Sequence, residues 1–395
     1  MKRLIAFLCL LSPVLYAEDL QFNDAISVTL NKPGVFHHLD ASGRKNIAVN
    51  NTHVAVVWED NRNGKPQVYT TIKALISSRF PKAIQLSNES HDAYEPTLLV
   101  IDNNAFLYAW EQNQHIWLTT VKNNKAAPPV QLDQQRSSQV SLTRTTNGKI
   151  YAAWIQHVNR QQQLVISELK IDKQQINILP ARIVDTYHSP RRQSHPSLVA
   201  IKNGLVIGWE DRQHGHTRIY TSYSVDGKSF AKKQVLNDFI PPQNSEFGRG
   251  TGATRVALAS DGNNKVTAVW MDKRNFLGGY DVYAAISTDA GKHFGPDEKA
   301  QDMLGENQPQ WHPAIAMTST GKILVAWDDP RDDSPDIWYA QRTADGWSDD
   351  ETIPAASGEG AQTSPSIAYD AQGRIHLIWL QKMNQGTKLR YCHSQ

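Results

Sequence analysis

Seven times along the 395-residue chain, a short run of alternating apolar residues ends in tryptophan: 54–58, 106–110, 150–154, 205–209, 266–270, 323–327 and 375–379. An apolar residue at every second position is the period of a β-strand. Successive tryptophans stand 44 to 61 residues apart, a spacing that fits the blades of a propeller better than the shorter repeats of helical solenoids.

Each unit resolves into four strands. In the fourth, residues 195–201 form a first strand and Asn203-Gly204 a tight turn. Residues 205–209 and 218–224 form the second and third, Asp226-Gly227 turns the chain again, and 233–237 form the last. The seventh unit stops after a third strand at 388–393, whereas residues 25–31 near the N-terminus look like a fourth strand without a sheet. Pairing the two leaves no free edge. The expected fold is therefore all-β: a seven-bladed β-propeller of four-stranded blades, its ring closed by the N-terminal strand. The tryptophans, on second strands, are expected to fill the space between blades.

Ahead of the repeats, Lys2 and Arg3, an apolar run over 4–11 and Ala17 before Glu18-Asp19 have the order of a cleavable signal peptide. The expected organisation is a signal peptide over 1–17 and one propeller domain over 18–395, destined for the periplasm or the exterior. The apolar run is too short to span a bilayer, and no membrane insertion is expected after cleavage. Removing residues 1–17 leaves 39 basic and 39 acidic residues, a balance that argues against nucleic acid as a partner. Of two cysteines only Cys392 remains, so no internal disulfide forms.

The segment 287–294 reads Ser-Thr-Asp-Ala-Gly-Lys-His-Phe, and 224–230 and 343–347 are shortened versions of it. The Asp accepts backbone N–H groups, Gly takes a positive φ, and the aromatic plugs the blade. This motif resembles the Asp box, or bacterial neuraminidase repeat, of the sialidase superfamily. The resemblance implies a propeller with Asp boxes on the face opposite the active site. It also implies an arginine triad for the substrate carboxylate, a tyrosine nucleophile with a glutamate partner, and an aspartate acid/base. Arg44 holds the place of the first triad arginine without the aromatic and proline that usually flank it.

A second motif follows four of the tryptophans: Glu59-Asp60-Asn-Arg62, Glu210-Asp211-Arg212, Met271-Asp272-Lys-Arg274 and Asp328-Asp329-Pro-Arg331. Fourfold repetition favours a bracing role for these arginines, each on its own aspartate, over membership of a single site. The same face receives the loops that lead into each first strand, where a rigid ring carries binding chemistry. Candidates there for catalysis are Tyr94, Glu95, His195, Glu246 and His312; candidates for substrate binding are Arg44, Arg192, Arg249, Arg255 and Trp311. Arginine forks suit carboxylates, a glutamate can polarise a phenol, and histidine can abstract a proton beside a uronate carboxylate. No zinc spacing occurs and no cofactor is expected. The five carboxylates within 328–336 read as an exposed acidic turn, with calcium as the alternative.

Three readings stay open: a glycoside hydrolase acting on an acidic sugar, a polysaccharide lyase acting on a uronate-containing glycan, and a non-catalytic propeller that binds a glycan or protein partner. A monomer is the default, since a closed ring is self-sufficient.

Overall fold

In a computed structural model of the protein, residues 20–39, 43–186, 192–212, 216–239, 252–274, 278–305 and 308–395 are described. They form seven antiparallel sheets, arranged as a β-propeller, with no α-helix among them. Each blade runs from an innermost strand to an outermost one, as in blade four: Gln193–Ile201, Gly204–Asp211, Arg218–Ser224 and Gln234–Val235. The outermost strands are short, and in blades two and three the last position is shared by two segments.

The ring closes as the sequence implies. Ile26–Ser27 pairs with Tyr391 and Arg390 of the last blade, and Val28 N donates to Leu389 O at 2.9 Å. The chain is then stitched to the turn of that blade, Gly34 N to Gln385 O at 2.8 Å and Thr387 N to Val35 O at 3.0 Å, before it enters blade one.

The core lies between blades. All seven repeat tryptophans are buried, at 0–1% exposure, each facing the preceding blade. Trp58 packs with Ile378, Leu389 and Tyr391 of blade seven, and Trp110 with Val57 and Val68 of blade one. Their indole N–H groups need acceptors there, and Trp58 and Trp270 find them two residues on, in Asp60 at 2.8 Å and Asp272 at 3.0 Å.

The turn arginines brace these seams. Asp60, Asp272 and Asp329 accept the backbone N–H groups of Arg62, Arg274 and Arg331 at 2.9–3.0 Å, and also bind their guanidinium groups. Each guanidinium lies over a third-strand aromatic: Arg62 3.9 Å from Tyr69, Arg274 3.8 Å from Tyr283, Arg331 4.1 Å from Trp338. Blade four departs from the pattern. There Lys233, from the outermost side, lies 4.5 Å over Tyr220 and pairs with Asp185 at 2.8 Å and Asp211 at 3.5 Å. Arg212 instead donates to Thr217 Oγ1 at 2.8 Å.

The segments 224–230 and 287–294 are turns between third and fourth strands. Asp226 Oδ1 accepts N–H from Lys228 and Ser229 at 2.7 and 2.9 Å, and Asp289 Oδ1 accepts from His293 at 2.9 Å. Phe230 and Phe294 pack against adjoining cores. In 343–347 the Thr343 hydroxyl donates to Gly346 O at 3.0 Å and serves as the turn's side-chain anchor.

Two predictions follow from closure and from the seams. Val28→Pro removes the donor to Leu389 O and should cost about 1–3 kcal/mol, read as a lower denaturation midpoint with an unchanged slope. At the seam of blades four and five, Asp297 shares Arg274 with Asp272 and Asp238. Burial and the Asp238 carboxylate push it up to about 7. A carboxyl raised in the folded state favours folding at low pH, and that contribution fades as pH rises from the ordinary carboxylate range through about 7. Asp297→Asn should flatten this decline in a series of melts from pH 4 to 8.

Candidate functional site

The innermost strands ring the axis, and six of the seven carry the same defect. Pairing with the second strand slips by one residue at 94–97, 138–141, 194–197, 254–257, 311–314 and 363–366. One residue inside each bulge has positive φ: Glu95 (52°), Gln139 (58°), His195 (48°), Arg255 (60°), His312 (53°) and Ser364 (55°). None is glycine, so each costs about 1–2 kcal/mol of backbone strain. A bulge re-aims a side chain, and here it turns one residue per blade toward the mouth of the axial channel.

What holds the bulges is the residue after each tryptophan. Glu59 accepts the N–H of Glu95 at 2.7 Å, Glu111 that of Gln139 at 2.6 Å, Glu210 that of Arg255 at 2.6 Å, and Asp328 that of Ser364 at 2.9 Å. Each bond crosses from one blade to the next. In blade three Ile155 follows the tryptophan and cannot accept, and the Gln139 carboxamide oxygen takes the N–H of His195 instead, at 2.8 Å.

Blade one carries no simple bulge. Its innermost strand is split into His37–His38 and Ile47–Val49, and the residues between them lie across the axis. Gly43 O accepts from Ser141 Oγ of blade three at 3.0 Å. Its Cα packs on blade four so closely that a Cβ would fall 2.2 Å from Pro196 O and 2.5 Å from Ser197 Cα. The channel below narrows to a cavity of about 20 Å³ lined by Lys45, Ser197, Leu258, Ile315 and Ile367. Gly43 thus allows blade one to floor the mouth and to plant Arg44 in it.

Arg44 is buried and binds Glu95, with Glu111 3.2 Å away. Burial raises Glu111, and the neighbouring Glu95 carboxylate adds to that rise against the pull of Arg44. Burial also opposes ionisation of Glu95, but the charges of Arg44, His195 and Arg255 outweigh it and hold this carboxyl below its ordinary range. The two glutamates are thereby driven apart in acidity.

Two histidines sit in matching places. His312 Nδ1 donates to Asp328 Oδ1 at 2.7 Å, and His195 Nδ1 lies 3.2 Å from Glu210 Oε1. The carboxylates are buried, at 4% and 1% side-chain exposure, whereas the imidazoles are open at 40% and 18%. A buried acceptor on Nδ1 fixes the tautomer and leaves Nε2 as the reactive nitrogen. At His195, Nε2 lies 3.3 Å from the Gln139 carboxamide nitrogen. Beside His312, Trp311 is half-exposed and stands 5.1 Å from Tyr280 in a tilted aromatic pair.

Five sequence candidates, Arg44, Glu95, His195, Arg255 and His312, therefore share this mouth. Trp311 lies at its edge. Tyr94 does not pair with Glu95: its hydroxyl donates to Asp92 at 2.8 Å, and partial burial with that carboxylate pushes the phenol up to about 12. Arg192 is exposed beside Arg212 at the head of blade four. Glu246 and Arg249 lie outside the described residues. Glu111, Gln139, Glu210 and Asp328 are mouth residues that sequence reasoning did not single out for the site, although an acid directly after the tryptophan was a visible signal. The acids of 328–336 are engaged: Asp328 with His312, Asp329 with Arg331, Asp336 with Gly358 N. Among the described residues no group of three or more ligating side chains is placed to hold a metal ion.

No protein-family model matches the sequence, and no curated protein matches it. Solved structures do resemble the fold. Polysaccharide lyase Uly1 aligns with a TM-score of 0.57 at 9% identity, covering 96% of this chain and 93% of that one. The α-L-arabinofuranosidase Arb93A of Fusarium graminearum, in complex with an iminosugar inhibitor, aligns at 0.52 with 13% identity, over 75% of this chain and 91% of its own. Its complex with arabinobiose gives the same values. At such identities the likeness is one of fold.

The floor gives a direct test. Gly43→Ala should lift the loop from blade four, withdraw Arg44 from its glutamates and cost about 1–3 kcal/mol as an overpacked site. Thermal melts and a crystal structure of the variant would read both effects.

Proposed function

We propose that the protein acts on a glycan at this mouth, and that its chemistry is β-elimination from a uronate-containing chain. The observation that carries the reading is the pair of imidazoles, His195 and His312, each open to the mouth and each backed by a buried carboxylate. In such a step His312 Nε2 takes the proton from the carbon next to the uronate carboxylate. The electron pair forms a carbon–carbon double bond, the glycosidic carbon–oxygen bond breaks, and the leaving oxygen is protonated by His195. Arg255 and Arg44 offset the charge that builds on the carboxylate. Trp311 offers a face for a sugar ring. That a polysaccharide lyase shares the fold over nearly the whole chain supports this reading.

Glycoside hydrolysis is a second reading, favoured by the opposed acidities of Glu95 and Glu111 and by the arabinofuranosidase likeness. Glu111 also caps a bulge, as Glu59, Glu210 and Asp328 do, so its place has a structural reason. A sialidase-type Tyr–Glu nucleophile gains no support from Tyr94, which is bonded to Asp92. The leader over 1–17 supports export, and we take the substrate to be met outside the cytoplasm by a single closed ring.

The test is incubation of the purified protein with uronate polysaccharides while near-ultraviolet absorbance is followed. Elimination predicts a rising signal, lost by at least about a hundredfold in His312→Gln and reduced in Asp328→Asn. Saturated products would point to hydrolysis, and binding without cleavage to a non-catalytic module.

A further inference from the structure

Blade four breaks the bracing pattern, and the break has a consequence for charge. In blades one, five and six the turn arginine is consumed by the aspartate before it and by an aromatic face. In blade four Lys233 takes over both tasks, on Asp211 and on Tyr220. Arg212 is released to the surface, with Thr217 Oγ1 as its hydrogen-bond partner. Its backbone N–H reaches Arg192 O at 3.4 Å, so Arg192, also exposed, stands beside it on the neighbouring strand.

The third strand adds another cation. Arg218 opens it, opposite Asp211, where the equivalent residues are Asp281 in blade five and Asp336 in blade six. Among the described residues none of Arg192, Arg212 and Arg218 lies in an ion pair, and Arg218 Nε is buried without a hydrogen-bond partner. The acids nearby are committed, Glu210 to Arg255 N and His195, Asp211 to Lys233. Adjacent strands are about 4.8 Å apart, so the three arginines form a row that runs outward from the innermost strand, whose bulge carries His195.

We propose that the head of blade four is a docking track for the anionic groups of a glycan chain that continues from the mouth, and that Lys233 is the positioning residue that keeps Arg212 available. The track rests on the glycan-acting reading and narrows it to polyanionic chains. Guanidinium groups spaced along a strand-crossing row match successive carboxylates or sulfates, and neutral chains gain nothing from them.

The experiment is calorimetric titration with a galacturonic acid hexamer and its methyl-esterified counterpart, in a His312→Gln background that prevents turnover. The acidic hexamer should bind and the ester should bind at least about tenfold more weakly. Arg192→Ala and Arg212→Ala should each weaken the acidic hexamer about three- to tenfold and lessen its salt dependence. Lys233→Asp, which gives blade four the seam of blade five, should draw Arg212 onto Asp211 and weaken binding to a similar extent with the arginine still present. If that variant fails to fold in a thermal melt, Arg212→Ala decides. Equal binding of acid and ester, no binding of the acid, or unchanged affinity in both arginine variants would overturn the track. Binding through the arginines without cleavage by the wild-type protein would leave the track standing and sink the elimination chemistry.

Discussion

A backbone N–H at the head of an innermost strand, donated to a side chain from the blade before it, is the interaction on which the mouth depends. Without an acceptor the bulged residue would carry a strained φ and an unmet donor near the axis, and the regular ladder would be preferred. With it, Glu95, Gln139, His195, Arg255 and Ser364 are held with their side chains turned inward. Because each bond crosses a seam, the same contact ties neighbouring blades together. Ring geometry and site geometry are one structure.

The capping acids also set the electrostatics of the site. Glu210 and Asp328 each serve two partners, a bulge N–H in the next blade and an imidazole in their own. A carboxylate fixed by a backbone donor is preorganised to stabilise an imidazolium, since it need not reorient when charge develops. Glu111 does the same for Gln139 but meets Glu95 and Arg44 instead of a histidine, and so shares a crowded, buried charge. One repeated scaffold thus presents base-like pairs in blades four and six and an acid pair in blade two, according to the residue in the bulge.

The seams show how a repeat tolerates change. Each needs a cation over an aromatic face and on a buried aspartate, yet the cation comes from the turn in blades one, five and six and from the outermost side in blade four. The packing requirement is met either way, while the surface is not the same. Arg212 is spared from structural duty, and the head of that blade becomes cationic.

The repeat, its four-stranded units and the closure by residues near 26 were all legible in the chain, because strand alternation and turn residues are local and seven copies reinforce one another. The bracing role of Arg62, Arg274 and Arg331 was legible for the same reason. That His195 and His312 occupy matching places could be read from the proline that follows each. What the sequence could not state was that each of these residues lies in a bulge, since a one-residue slip depends on the partner strand and on an acceptor in the next blade. Nor could it show that Tyr94 turns to Asp92 while Glu95 turns to Arg44, or that Lys233 replaces Arg212 across a seam. Those choices were made by the closing of the ring, which brings residues from different repeats within hydrogen-bond distance and lets burial decide which charges must pair.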